Sequence, residues 1–202
     1  MVRWGMVIDL KRCIGCLSCV IACKSENGTP TGVFWRKVLL QEIGKYPNVR
    51  RLSLPTGCMH CNDPPCMKAC PSGAISKRKD GIVIIDEEKC YGAKACILAC
   101  PYEAISFVEE YKQYWPSGTT PYEKLKYSGK IKGVSTKCTF CAHKNLEGGE
   151  LPACVMTCPT KAFTFGDLED PNSEVAKLIR GRVGYQLKKE LGTDPAVYYL
   201  PW

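Results

Sequence analysis

Residues 90–101 read C-Y-G-A-K-A-C-I-L-A-C-P. Cys90, Cys96 and Cys100 keep the spacing C-x2-C-x2-C-x3-C-P, but Ala93 stands where the second cysteine belongs. That spacing is the signature of a loop that holds an iron–sulfur cluster. Three thiolates of the loop converge on one cluster. The fourth begins the next helical turn and reaches a second cluster. Proline directly after it stops the helix, because it lacks an N–H and clashes with the preceding turn.

Three more groups surround this one. Cys13, Cys16, Cys19 and Cys23 form a full C-x2-C-x2-C-x3-C without the proline. Cys58, Cys61, Cys66 and Cys70 widen the loop by Asp63-Pro64-Pro65 and end on Pro71. Cys138, Cys141, Cys154 and Cys158 have a long insertion and end on Pro159. C-P-S-G-A-I, C-P-Y-E-A-I and C-P-T-K-A-F each close a group and lead into an apolar run, an internal repeat. Zinc suits this pattern poorly. Its structural sites join C-x2-C pairs into tetrahedral sets of four, not three cysteines within seven residues.

The 202 residues suffice for one or two small domains, and 45% are hydrophobic, enough for a core. Fifteen cysteines is an odd number, and no apolar leader precedes Cys13, so a secreted disulfide scaffold is disfavoured. No stretch approaches the roughly 20 apolar residues of a membrane span. The reading is a soluble protein made in the cytosol with reduced, metal-holding thiols. The net charge of +8 invites nucleic acid as a partner. Clusters of about −2 each offset it better, four of them adding about −8. Lys11, Arg12, Lys24, Lys68, Lys94 and Lys137 lie beside cysteines and read as local compensation for that charge.

Between the groups, Met6–Asp9 reads as a strand, Cys19–Lys24 as helix, and 33–43 as a strand pair or strand plus turn. Tyr46-Pro47-Asn48 and Lys79-Asp80-Gly81 are turns, Ile82–Ile85 is a strand, and Gly148-Gly149 is a turn in the last loop. Val175, Leu178, Ile179, Val183 and Leu187 follow helical spacing in the tail. The aromatic segment 111–132 reads either as a cover over cluster 3 or 4 or as a partner contact. His60 and His143 adjoin ligand cysteines and read as supporting or surface residues. No nucleophile–base constellation and no phosphate-binding loop appear, so the chain is not itself an enzyme.

H-C-N-D-P-P-C-M-K-A-C-P, K-C-T-F-C and the tail F-G-D-L-E-D-P-N-S-E-V-A-K-L-I carry a resemblance over nearly the whole chain. The sequence resembles the four-cluster electron-transfer subunits of the dimethyl sulfoxide reductase family of molybdenum and tungsten oxidoreductases. The resemblance implies an α+β fold of two interleaved bacterial-ferredoxin-like modules with loop insertions and a C-terminal helix and tail. One module spans 1–51 plus 129–170 and holds clusters 1 and 2. The other spans 52–110 and holds clusters 3 and 4. An aromatic insertion covers 111–128, and 171–202 is the helix and tail, whose end lies along the catalytic subunit. It further implies that Cys13, Cys16, Cys19 and Cys158 ligate cluster 1. Cluster 2 takes Cys138, Cys141, Cys154 and Cys23. Cluster 3 takes Cys58, Cys61, Cys66 and Cys100. Cluster 4 takes Cys90, Cys96 and Cys70, with Ala93 at its empty corner. The cofactors are then three [4Fe–4S] clusters and one [3Fe–4S] cluster, or a fourth [4Fe–4S] with a non-cysteine corner. The implied partners are a large bis-pterin catalytic subunit and a quinone-reactive membrane subunit or soluble carrier. Export with a signal-bearing partner would place the protein outside the cytoplasm. A free-standing polyferredoxin is the alternative, and a zinc-dependent nucleic-acid module the remote one.

Overall fold

The computed structural model describes residues 2–144 and 149–202. The expected turn at Gly148-Gly149 begins outside the described residues. The fold is mixed α and β, built from small sheets and short helices. Its centre is β1, Trp4–Asp9, in which all residues after Trp4 are buried. Strand β8, Phe163–Asp167, pairs antiparallel to one edge of β1, and β9, Val197–Leu200, pairs parallel to the other. Met6, Ile8 and Tyr199 are fully buried in this sheet's core. Each large apolar side chain so buried stabilises by roughly 1.5–3 kcal/mol.

Three separate two-stranded sheets complete the strands. Strands β2 (Arg36–Lys45) and β3 (Asn48–Gly57) form a ten-residue ladder turning at Tyr46-Pro47. The 33–43 run therefore holds one strand of a longer pair, which begins at Arg36 just after a buried Trp35. Strands β4 (Ile75–Lys77) and β5 (Val83–Ile85) pair antiparallel, as do β6 (Ile105–Val108) and β7 (Val134–Lys137).

The cysteine helices share one construction. They are α1 (Ser18–Asn27), α2 (Pro65–Lys68), α3 (Ala95–Ala99) and, after α4 (Pro121–Tyr127), α5 (Ala153–Met156). α2, α3 and α5 each end at a Cys-Pro. α1 lacks the proline and runs on to Asn27, where Gly28 at φ 59° caps it. After each Cys-Pro the chain makes the same turn. The amides of Gly73, Glu103 and Lys161 donate to the carbonyls of Cys70, Cys100 and Cys158 at 3.3, 3.2 and 3.2 Å. Those three residues are left-handed at φ 62°, 51° and 51°. A buried Ala74, Ala104 or Ala162 follows and starts β4, β6 or β8. The internal repeat is thus a structural unit.

One expectation about the tail needs correction. The tail helix α6, Glu174–Gly181, is shorter than its apolar spacing suggests. Val183 is left-handed and 81% exposed, and Tyr185 instead bridges Tyr199. The chain end packs on its own sheet. Tyr199 and Leu200 are buried in β9 against β1, because alternate residues there meet the apolar faces of Met6 and Ile8. Only Pro201 and Trp202 project.

The aromatic segment also packs elsewhere than expected. α4 is Pro121–Tyr127, fixed by a Thr120–Glu123 capping box. The buried Glu123 carboxylate accepts from the amides of Tyr114 at 2.6 Å and Thr120 at 2.7 Å. Tyr114 Oη donates to Thr29 O at 3.2 Å, and Lys126 Nζ to Glu26 O at 2.7 Å. The segment therefore covers α1 beside Cys23, not the second pair of cysteine groups. Among the described residues no helix is long and apolar enough to cross a membrane.

Candidate metal centres

All fifteen cysteines are free thiols. Each cysteine helix carries one thiol at or beside its start and another four residues on. One turn separates them by about 6 Å along the axis, so they serve different cavities. Cys13, Cys16, Cys19 and Cys158 line one cavity, here site 1. Cys58, Cys61, Cys66 and Cys100 line another, site 3. Cys70, Cys90 and Cys96 line site 4 together with Ala93 and Ser135. Cys23 feels the charges of Cys138, Cys154 and Cys141. Asn27 Nδ2 lies 3.6 Å from Cys23 Sγ and 3.9 Å from Cys141 Sγ. These four thiols make site 2. In every site the last thiol comes from a different cysteine group than the rest.

Thiols of successive sites lie near enough to feel one another's charge. Cys19 of site 1 feels Cys154 of site 2, Cys138 of site 2 feels Cys58 of site 3, and Cys66 of site 3 feels Cys96 of site 4.

The loops are built to surround a group with donors. The residue before the second ligand position is left-handed in all four: Gly15 at φ 68°, His60 at 45°, Gly92 at 79° and Phe140 at 53°. Glycine makes this legible at two positions, whereas His60 and Phe140 give no such signal. Backbone N–H groups aim at sulfur. Phe140 N donates to Cys138 Sγ at 3.4 Å, Ala162 N to Cys158 Sγ at 3.3 Å, and Ser135 N to Cys90 Sγ at 3.5 Å. Burial pushes the thiols of Cys61 and Cys66 up to about 12 and that of Cys19 up to about 11. Exposed Cys16 is held below its ordinary value by the Ser18 hydroxyl. Loading a metal here must therefore release protons from the buried thiols.

His60 is 1% exposed and stacks on Phe140 with ring centroids 3.8 Å apart. Its Nδ1 accepts from Val83 N at 3.2 Å, so Nε2 carries the hydrogen, and that atom has no partner among the described residues. Burial, then Lys137 and Arg36, hold the ring neutral. Ser135 Oγ is likewise buried and without a partner among the described residues. Orphaned polar atoms beside thiol-lined cavities fit a bound inorganic group better than a dry core. His143 is a surface residue, its Nε2 2.9 Å from Glu26 Oε1.

Among the described residues no three His, Cys, Asp or Glu side chains are grouped to hold a single metal ion. A tetrahedral zinc with Zn–S of about 2.3 Å would draw its thiolates to within about 4 Å of each other. Thiols arrayed around cavities suit a multi-atom cluster instead.

Of the six basic residues expected to compensate cluster charge, only Lys137 is buried. It lines site 3 and donates to Val83 O and, at 3.0 Å, to Cys138 O. Lys24 is half-buried, spending its donors on Thr29, Pro30 and Val33 carbonyls. Lys68 pairs with Asp63 at the surface. Sequence reading missed Arg36, because a cation opening a strand carries no mark of burial, and Ser135, which lies far from Ala93 along the chain.

Comparison with known proteins agrees with this geometry. Residues 49–116 and 114–168 match the 4Fe-4S dicluster domain. The chain is 46% identical to the B chain of selenate reductase from Mesobacillus selenatarsenatis, covering 98% of this chain and 72% of that protein. It is 40% identical to the arsenate respiratory reductase iron-sulfur subunit of a Shewanella species, over 98% and 96%. The B chain of tetrathionate reductase from Salmonella typhimurium is 39% identical over 98% and 72%. With that likeness running from end to end, the chain belongs to the iron–sulfur electron-transfer subunits of the dimethyl sulfoxide reductase family, and is not a catalytic subunit.

Proposed function

We propose that the chain holds four iron–sulfur clusters and connects a molybdenum or tungsten pterin catalytic subunit to a quinone-reactive membrane subunit or soluble carrier. Cluster 1 is held by Cys13, Cys16, Cys19 and Cys158, and cluster 2 by Cys138, Cys141, Cys154 and Cys23. Cluster 3 is held by Cys58, Cys61, Cys66 and Cys100, and cluster 4 by Cys90, Cys96 and Cys70. The observation that carries this reading is the crossed grouping of thiols, each site borrowing its last thiol from another group. When bound, the clusters supply one-electron redox centres. The chain's own residues hold them, exclude water from them, and direct N–H groups at their sulfur ligands.

Sites 1 to 3 are read as [4Fe–4S] and site 4 as [3Fe–4S], because the Ala93 methyl cannot ligate iron. Two interleaved ferredoxin-like modules follow, 1–51 with 129–170 and 52–110, with β3 and the β6–β7 hairpin running between them. The insertion 111–128 and the tail 171–202 complete the chain. In this reading a quinone-reactive partner contributes membrane attachment, and export with a signal-bearing partner places the complex outside the cytoplasm.

Isolation of the native complex tests this. A brown complex containing a pterin subunit, with about fifteen irons on this chain, is expected. A colourless chain without acid-labile sulfide, or one recovered without a large partner, refutes the reading.

A further inference from the structure

Arg36 is 3% exposed, and among the described residues no carboxylate is in ion-pair reach of it. A guanidinium is always charged, and burying one without a counter-charge is strongly unfavourable. Its Nη2 turns to sulfur, 3.3 Å from Met6 Sδ and 3.7 Å from Cys154 Sγ. The guanidinium carbon lies 5.2 Å from the centroid of Phe163. The strand pairing fixes this placement. Arg36 faces Gly57 across the ladder, where an added Cβ would stand 2.9 Å from Trp35 O and 3.5 Å from Arg36 Nη1.

The titratable groups around the guanidinium are mostly thiols. Cys154, Cys138 and Cys23 belong to site 2, and Cys19 belongs to site 1. Tyr199 and His60 are the others, and both are buried without charge at neutral pH. The anions that can balance Arg36 are therefore the thiolates of two adjacent sites. Lys137 occupies a similar place one junction along, between Cys66 of site 3 and the carbonyl of Cys138.

We propose that Arg36 is the fixed counter-charge shared by sites 1 and 2, and that it sets how readily each accepts an electron. The proposal rests on the cluster assignment above. Adding one electron makes a site more negative, so a fixed cation beside it favours the reduced form. The N–H donor to Cys154 acts in the same sense. No proton moves and no bond forms. The effect is strongest at site 2, which Arg36 touches, weaker at site 1, and absent at site 4.

The test is a redox titration of the loaded complex, monitored by electron paramagnetic resonance, for wild type, Arg36→Lys and Arg36→Gln. Site 2 is identified as the signal lost in Cys23→Ser. In Arg36→Gln the reduced-to-oxidised ratio of site 2 at fixed potential should fall about tenfold, equivalent to about 59 mV for one electron. Arg36→Lys should keep the ratio within about threefold, and site 4 should not move in either variant. The shift should be the same at pH 6 and pH 9, since guanidinium does not titrate there. Unchanged site 2 potentials in a fully loaded Gln variant overturn the proposal. Should the Gln variant fail to load iron, Arg36→Lys decides. Normal loading and potentials support the role of charge, whereas failure or a shift shows that shape alone matters. Wild-type protein without cluster signals refutes the underlying assignment, and the proposal with it.

Discussion

Ala93→Cys is the sharpest perturbation of the incomplete site. The backbone there is already that of a ligand loop. Gly92 and Lys94 have φ 79° and 58°, and the corresponding Gly15 and Leu17 around Cys16 have φ 68° and 65°. Cys16 and Ala93 are both exposed, and each directly precedes a left-handed helix cap. A cysteine at 93 therefore presents its thiol as Cys16 does, without backbone movement or new burial. The expected change in stability of the fold is within about 0.5 kcal/mol, as for other exposed substitutions. The expected change at the site is one iron, from about fifteen to about sixteen per chain. Wild-type protein, oxidised, should show a half-spin paramagnetic signal from site 4, and Ala93→Cys should remove it. Iron and sulfide analysis with electron paramagnetic resonance on the same sample reads both. An oxidised wild type with no signal and about sixteen irons would refute the three-iron reasoning. It would point to another ligand at that corner, Ser72, Tyr91 and Ser135 being hydroxyl-bearing residues of the same cavity.

Cys23→Ser should abolish the signal of site 2 and leave site 1 intact, although Cys23 shares a loop with Cys13; loss of site 1 instead would show the pairing is not crossed. In the assembled complex, site 1 should lie nearest the pterin and site 4 farthest, and a structure of the complex with the reverse order would contradict this. Asp9 is buried, which raises its pKa, but hydrogen bonding and charge from Arg182 outweigh this and the net shift is downward. A depressed carboxyl contributes stability that is present above its unfolded value of about 3.9 and lost as pH falls through the lower folded value. Asp9→Asn should thus cost about 1–2 kcal/mol in denaturant unfolding, constant from about pH 5.5 to 8; a gap closing in that range would refute the ion pair. Thr120→Ala should cost about 1 kcal/mol, seen as faster amide exchange confined to α4 and the Tyr114 amide.

The sequence by itself determined the local architecture. Ligand spacing, the Cys-Pro stops and the repeated C-P-x-x-A step are properties of short consecutive stretches. Chain stiffness fixes their conformation before anything distant is packed. Gly15 and Gly92 announced left-handed positions because only glycine occupies them without cost. The helix read over Cys19–Lys24 is there, but without a proline after Cys23 it runs on to Asn27. Tertiary structure alone decided what joins what. Cys158 shares a cavity with Cys13 only because β8 pairs with β1. Ser135 reaches the Ala93 cavity through the β6–β7 ladder. Nothing in the tail's sequence marked Val197–Leu200 as the strand that takes the open edge of β1, where its backbone groups and Tyr199 are satisfied. Arg36 was inconspicuous as one of 28 basic residues. Its meaning came from burial among thiols brought from the two ends of the chain, a juxtaposition that no stretch of sequence encodes.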